Sequence, residues 1–191
     1  MSIPVQQVFV KIPLKSAEGL NLDAFIPIFH EWIREHSIDN ELLIDVADYR
    51  HVPDGPGVML IANEAHYGID SDGGSTGLMY RRRRDEHGDA EAAFRQALGQ
   101  AVRAANLIEK EEGLSLSFDT SRIEMRVLSR LTTPNTEATH EALAPVWSKV
   151  LTDLGFAGPE LAPPSDPRQP FGLAMLSCTS APDLATLVTA L

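Results

Sequence analysis

The stretch ELLIDVADYRHVPDGPGVMLIANEAHYGIDSDGGSTGLMYRRRR, running from Glu41 to Arg84, decides how the chain is read. It parses as three strands joined by two turns. Glu41 to Tyr49 is rich in Leu, Ile and Val, as a largely buried strand is. The following RHVPDGPG carries two prolines and two glycines and must turn the chain. Val58 to Tyr67 reads as the second strand, and Asp72-Gly73 within SDGG is a hairpin signal. Gly77 to Arg83 completes the meander. Period-two alternation puts Leu60, Ala62, Glu64 and His66 on one face of the second strand. With RHVPDGPG at the centre of a hairpin, Asp45 falls near Leu60 and Glu64 near Glu41. His51 and Asp54 then lie at the opposite end from Glu64 and His66.

Working outward, Val8 to Leu14 alternates apolar and polar residues like a strand, with Pro13 suited to a strand terminus or sheet edge. Asn21 is a helix N-cap candidate, and Leu22, Phe25, Ile26, Phe29 and Ile33 recur at helical spacing. Pro27 inside that pattern predicts a kink, or a restart after a short first turn. On the other side, Asp89 to Glu112 is alanine-rich, with Phe94, Leu98, Ala101, Ala105 and Ile108 as its buried face and Gly113 as its stop. Leu114 to Phe118 and Ile123 to Leu131 read as strands. Thr136 to Leu154 reads as a helix, 155–170 as irregular, Phe171 to Cys178 as a last strand, and Pro182 to Leu191 as a short helix with Ser180 or Asp183 near its start. Trp32 and Trp147 adjoin apolar stripes and read as packing residues.

This order predicts an α+β fold with a mostly antiparallel sheet and helices packed on one face. It is compatible with a ferredoxin-like core and with a duplicated β-α unit, since FIPIF at Phe25 and LAPVW at Leu143 each follow a strand bearing alternating basic residues. A single domain over residues 1–191 is expected, with any division into two lobes near residue 113.

The composition, 43% hydrophobic and 23% charged, excludes wholesale disorder. A formal charge of -11 argues against nucleic acid or an anionic membrane as partner, because phosphate binding needs clustered cations. No apolar run reaches the ~18 residues that cross a bilayer. The lone Cys178 suits a reducing compartment, and the N-terminus lacks a secretory pattern, so a cytoplasmic location is expected.

The least ordinary feature is the run Arg81-Arg82-Arg83-Arg84. On a strand, Arg81 and Arg83 face one way and Arg82 and Arg84 the other, so the strand must lie at an edge or an end, or face acids. Together with Glu64, His66 and Tyr80 these arginines form the expected binding surface, for a small anionic ligand held by guanidinium forks. The bland alternative is charge balance against Asp85 and Glu86, with Glu64 pairing across to Arg82. An enzymatic alternative is a metal-assisted hydrolase using Asp45, Asp48, His51 and Asp54, residues that otherwise cap turns. No nucleophile-elbow or P-loop pattern is present, so no cofactor is expected and no catalytic residue is assigned. A homo-oligomer is the expected assembly.

The runs FIPIFHEWIREH and LLIDVADYRHVPDGPGVMLIANEAHYGID resemble a group of uncharacterised bacterial proteins of about this length. The resemblance covers the first ~80 residues best and carries no activity or cofactor. It implies that this stretch is a family signature.

Overall fold

The chain reverses at Asn63 and Glu64, so what reads as one strand from Val58 to Tyr67 is two. The computed structural model describes residues 3–52, 56–83, 89–162 and 166–191. Its strands are β1 (Val8–Pro13), β2 (Leu43–Asp48), β3 (Val58–Ala62), β4 (Ala65–Asp70), β5 (Gly77–Arg82), β6 (Glu124–Val127), β7 (Glu160–Leu161) and β8 (Phe171–Ser177). Its helices are α1 (Phe25–Glu35), α2 (Ala90–Lys110), α3 (Glu137–Asp153) and α4 (Leu184–Ala190).

The tight turn at Asn63 contains neither Gly nor Pro and is closed by its surroundings. The Asn63 N–H donates to Leu42 O at 2.9 Å, and the Glu64 N–H donates to Glu41 Oε1 at 3.1 Å. Glu64 therefore does lie beside Glu41, as the hairpin reading requires. The turn also changes which residues share a face. Leu60 and Ala62 point into the core with Ala65, Tyr67 and Ile69, whereas His66 points to the other side. The expected single face holding Leu60, Ala62, Glu64 and His66 does not exist. A bulge between Leu43 and Asp45 shifts the first hairpin by one, so Asp45 sits opposite Ile61 and Val46 opposite Leu60.

All eight strands form one antiparallel sheet in the order β2-β3-β4-β5-β1-β6-β8-β7. Setting the β2–β3 hairpin aside, each side of the β1–β6 pair runs strand, helix, strand, strand, helix: β1-α1-β4-β5-α2 and β6-α3-β7-β8-α4. The same omission leaves β1-α1-β4-β5-α2-β6, the element order of a ferredoxin-like unit. The two mid-segment prolines are not equivalent, however. Pro27 lies in the first turn of α1, just after a 3-10 turn at Leu22–Ala24, while Pro145 lies inside α3. Pro27 thus marks the restart, because a first-turn proline gives up an N–H that has no partner within the helix.

The cap anticipated at Asn21 is in place, and of the alternatives Ser180 and Asp183 it is Asp183 that caps the last helix. Asn21, Asp89, Thr136 and Asp183 each accept a backbone N–H at the start of a helical segment. Leu114 to Phe118 is not a strand. Gly113 and Ser115 have φ of 94° and 46°, and the Phe118 N–H is taken by Glu109 Oε1 at 2.8 Å, leaving only an isolated bridge from Phe118 to Leu14.

The core lies between the helices and one face of the sheet. Val8, Val10 and Ile12 of β1, Tyr67 of β4, Leu78 of β5 and Val127 of β6 join Phe25, Phe29, Phe94 and Trp147 in one buried cluster. Phe94 and Trp147 meet edge-on at 5.8 Å, joining α2 to α3. On the opposite, helix-free face Phe9, Met59 and Met79 form a separate small cluster. The helices therefore gather on one side, and the other side, here called the open face, carries no helix among the described residues. Among the described residues no helix is long and apolar enough to cross a membrane.

Candidate functional site

Period-two alternation divides the arginine run between the two sides of the sheet. In β5, Leu78, Tyr80 and Arg82 point toward the helices, and Met79 and Arg81 toward the open face. Arg83 follows the strand and is exposed, whereas Arg84 lies outside the described residues. The expected binding surface is thus two groups. Tyr80 and Arg82 belong to the interior, His66, Arg81 and Arg83 to the open side, and Glu64 to the turn between β3 and β4.

The interior group surrounds Glu41, a residue the sequence reading did not single out. Arg82 is only 5% exposed and lies close enough to Glu41 to favour its charge. Tyr67 Oη donates to Glu41 Oε2 at 3.3 Å, and the Tyr67 and Tyr80 rings meet edge-on at 5.2 Å. Burial raises the Glu41 carboxyl above the ordinary carboxylate range, against the opposing hydrogen bonds from the Glu64 amide and Tyr67. Burial also pushes Tyr67 up and Tyr80 up to about 12, so both phenols are protonated at neutral pH. Tyr80 Oη, Gln96 Oε1 and Gln100 Oε1 are enclosed without a hydrogen-bond partner, although Gln96 and Arg82 adjoin Tyr80. Their oxygens touch no solvent, so this cluster shapes stability and gives a ligand no route in.

The open side is ordered by strand register. Across six strands the residues Ile61, His66, Arg81, Phe9, Arg126 and Gly172, taken from β3, β4, β5, β1, β6 and β8, stand in one lateral row. Met59, Gly68, Met79, Lys11, Glu124 and Ala174 form the next row. The Arg126 guanidinium lies over the Phe9 ring at 5.2 Å and bonds Asp72 Oδ2 and Glu124 Oε2 at 3.0 Å each. Lys11 is fully buried, with its Nζ donating to Asp70 Oδ2 at 3.0 Å and to Asp72 O at 2.6 Å.

On the other side of Phe9 the described residues offer Arg81 and Arg83 no ion-pair partner. Arg81 and Arg83 make no ion pair or side-chain hydrogen bond among the described residues. They flank His66, whose pKa is lowered by burial first and then by Arg83 and Arg81. A half-buried imidazole thus stands beside two guanidinium groups that have no ion pair among the described residues; Asp85 and Glu86, the acids expected to balance them, lie outside those residues.

Among the described residues, the acid and histidine loop is held by arginine and backbone contacts. Arg50 forks Asp48, with Nε to Oδ1 at 2.8 Å and Nη2 to Oδ2 at 2.5 Å, and it also pairs with Asp23. This fork holds the Asp48 carboxyl well below the usual carboxylate range. Asp45 Oδ1 accepts the adjacent Val46 N–H at 2.8 Å, and His51 stacks on Tyr49 at 6.2 Å. Asp54 lies outside the described residues. Among the described residues no three His, Cys, Asp or Glu side chains are grouped to hold a metal.

The sequence carried faint signals for what was missed. Lys11 interrupts the apolar run VFVKIP, and a lysine between core residues requires a buried partner. Asp70 and Asp72 flank the turn that supplies it. Comparison of the chain with family models, curated proteins and solved structures found no match.

Proposed function

We propose that the open face of the sheet binds a small oxyanion, a carboxylate, phosphate or sulfate group, at His66, Arg81 and Arg83. The observation that supports this reading is the pair of guanidinium groups without an ion pair among the described residues, beside a half-buried histidine, on a chain of formal charge -11. A cation left unpaired on so acidic a surface is held in reserve for an anion from solution. Arg81 and Arg83 supply the forked donors, and His66 adds a third donor when protonated.

Sulfate is a suitable probe because its charge is constant over the range in which histidine titrates. Bound sulfate is expected to raise the His66 pKa, so sulfate affinity should increase as pH falls through the His66 midpoint. The check is an NMR titration of the His66 ring with and without sulfate at matched ionic strength. Arg81→Ala with Arg83→Ala should relieve the part of the His66 depression that the two arginines cause, leaving that of burial, and abolish its response to sulfate. A midpoint that sulfate leaves unmoved in the wild type would sink the reading.

Self-association is a second reading, favoured by the edge strand β2, where Leu42 and Ile44 are 60% and 54% exposed. Apolar side chains on, and just before, a strand with one free edge form a pairing surface for a second copy. Sedimentation velocity over a dilution series should show an assembled species that Ile44→Lys converts to monomer. A wild type that is monomeric at every concentration rules this out.

A further inference from the structure

Beyond β1 from the anion site, the open face carries two adjoining grooves. The first, about 450 Å³, lies between the hairpin tip at Asp72 and Gly73 and the segment Gln169–Pro170, with β6 and β8 as its floor. The second, about 500 Å³, lies between Lys15 and Arg122 on the other side of the same tip. They meet at Glu124 and Ala174, which line both. Each volume falls within the ~300–1,000 Å³ of small-molecule sites. The space exists because small residues stand where the floor would otherwise be filled. A Cβ on Gly73 would lie 3.2 Å from Arg126 Nη2, and one on Gly172 would lie 3.5 Å from Arg126 Cγ.

The two grooves differ in sign. The first presents the carboxylates of Asp72 and Glu124 against the single guanidinium of Arg126. Arg126 also keeps Asp72 ionised, through a hydrogen bond that lowers its pKa. The second presents Lys15 and Arg122, both exposed and without an ion pair among the described residues. Its one acid besides the shared Glu124 is Asp119, whose Oδ1 is occupied by the Ser121 N–H and Oγ at 3.0 Å and 2.5 Å. Along the joined groove the field therefore runs from negative to positive.

The negative end is also fixed in place. Fully buried Lys11 holds the Asp72 carbonyl, and Arg126 holds its carboxylate. A tie between the hairpin tip and β6 accounts for the Asp72–Arg126–Glu124 network. It accounts neither for the open volume nor for the unpaired cations facing that network across Glu124.

We propose that the joined groove binds a small zwitterion of the amino-acid or dipeptide class. Its ammonium lies toward Asp72 and Glu124, and its carboxylate toward Lys15 and Arg122. The site is separate from His66, Arg81 and Arg83, so either proposal can fail alone.

The probe is glycylglycine, followed by two-dimensional NMR at millimolar concentration, alongside its N-acetylated and C-amidated forms. Saturable shifts are expected at Gly73, Gly172 and Ala174, with each blocked form binding about tenfold more weakly or worse, near the loss of one ionic contact. Arg122→Ala should erase the preference for a free carboxylate. Glu124→Gln should erase the preference for a free ammonium, and Asp72→Asn serves as its independent counterpart because Lys11 grips only the Asp72 backbone. Absence of saturable shifts from glycylglycine overturns the proposal, as does equal binding of the blocked forms or shifts confined to His66.

Discussion

Lys11→Met is expected to destabilise the fold by about 3–5 kcal/mol, the cost of leaving a buried charge without its partner. Methionine preserves most of the lysine stem's volume, so packing changes little. What is lost is the ammonium between Asp70 Oδ2 and the Asp72 carbonyl. Lys11 is 0% exposed and Asp70 6%, so solvent cannot replace that partner. The contact crosses β5, which lies between β1 and β4. Gly77 makes the crossing feasible, since it stands opposite both Asp70 and Pro13 and has no side chain to block it. A Cβ there would lie 2.4 Å from Ile12 O. Adding Asp70→Asn to Lys11→Met should recover at least half of the loss, because the stranded carboxylate is gone. Urea midpoints for the two single variants and the double variant supply the cycle. A Lys11→Met protein within about 1 kcal/mol of wild type would show that the pair contributes little.

Glu41→Gln should change how stability depends on pH. The folded-state pKa of Glu41 is raised, so the fold favours its protonated form. The stability this contributes is fully present below the unfolded pKa, near 4.5, and is lost as pH rises through the higher folded value. Glutamine remains neutral throughout; its Oε1 still accepts from the Glu64 amide, and its Nε2 donates to Tyr67 Oη in place of the bond Tyr67 gave. The variant should therefore gain stability relative to wild type as pH is raised from acid toward neutrality, by about 1.4 kcal/mol for each pKa unit of the shift. The removed attraction between Arg82 and the Glu41 carboxylate acts in the opposite direction but ranks last among the influences on Glu41. Parallel urea denaturation of the two proteins across this range measures the effect. A constant difference between them at every pH would mean that Glu41 titrates normally.

Much of the fold was legible because local chemistry and tertiary structure agree. The buried face of α2, from Phe94 to Ile108, follows from helical spacing alone, and the β4–β5 hairpin from its Asp-Gly pair. The turn at Asn63 was not legible, because it is closed by a carboxylate more than twenty residues away in sequence rather than by a turn residue. Leu114 to Phe118 had the composition of a strand, yet positive φ at Gly113 and Ser115 breaks it.

The candidate site was legible only in part, for a related reason. Alternation alone separates Arg81 from Arg82, and the sequence reading used it, but it could not say which side held the helices. The row joining His66 to Arg126 and the contact between Lys11 and Asp70 depend on the neighbours of β1 in the sheet. Hairpins specify their own register, whereas the pairs β1–β5 and β1–β6 bring together segments far apart in the chain.

The sheet's two margins are unequal in a way that limits how far copies can accumulate. One margin is β2, six residues long with Ile44 exposed on it; the other is β7, with only two residues. A chain with one adhesive rim has to present that rim to its own counterpart, and the union consumes both. Under the proposed self-association, joining through β2 would end at a twofold pair, since β7 offers only a two-residue strand on the other margin.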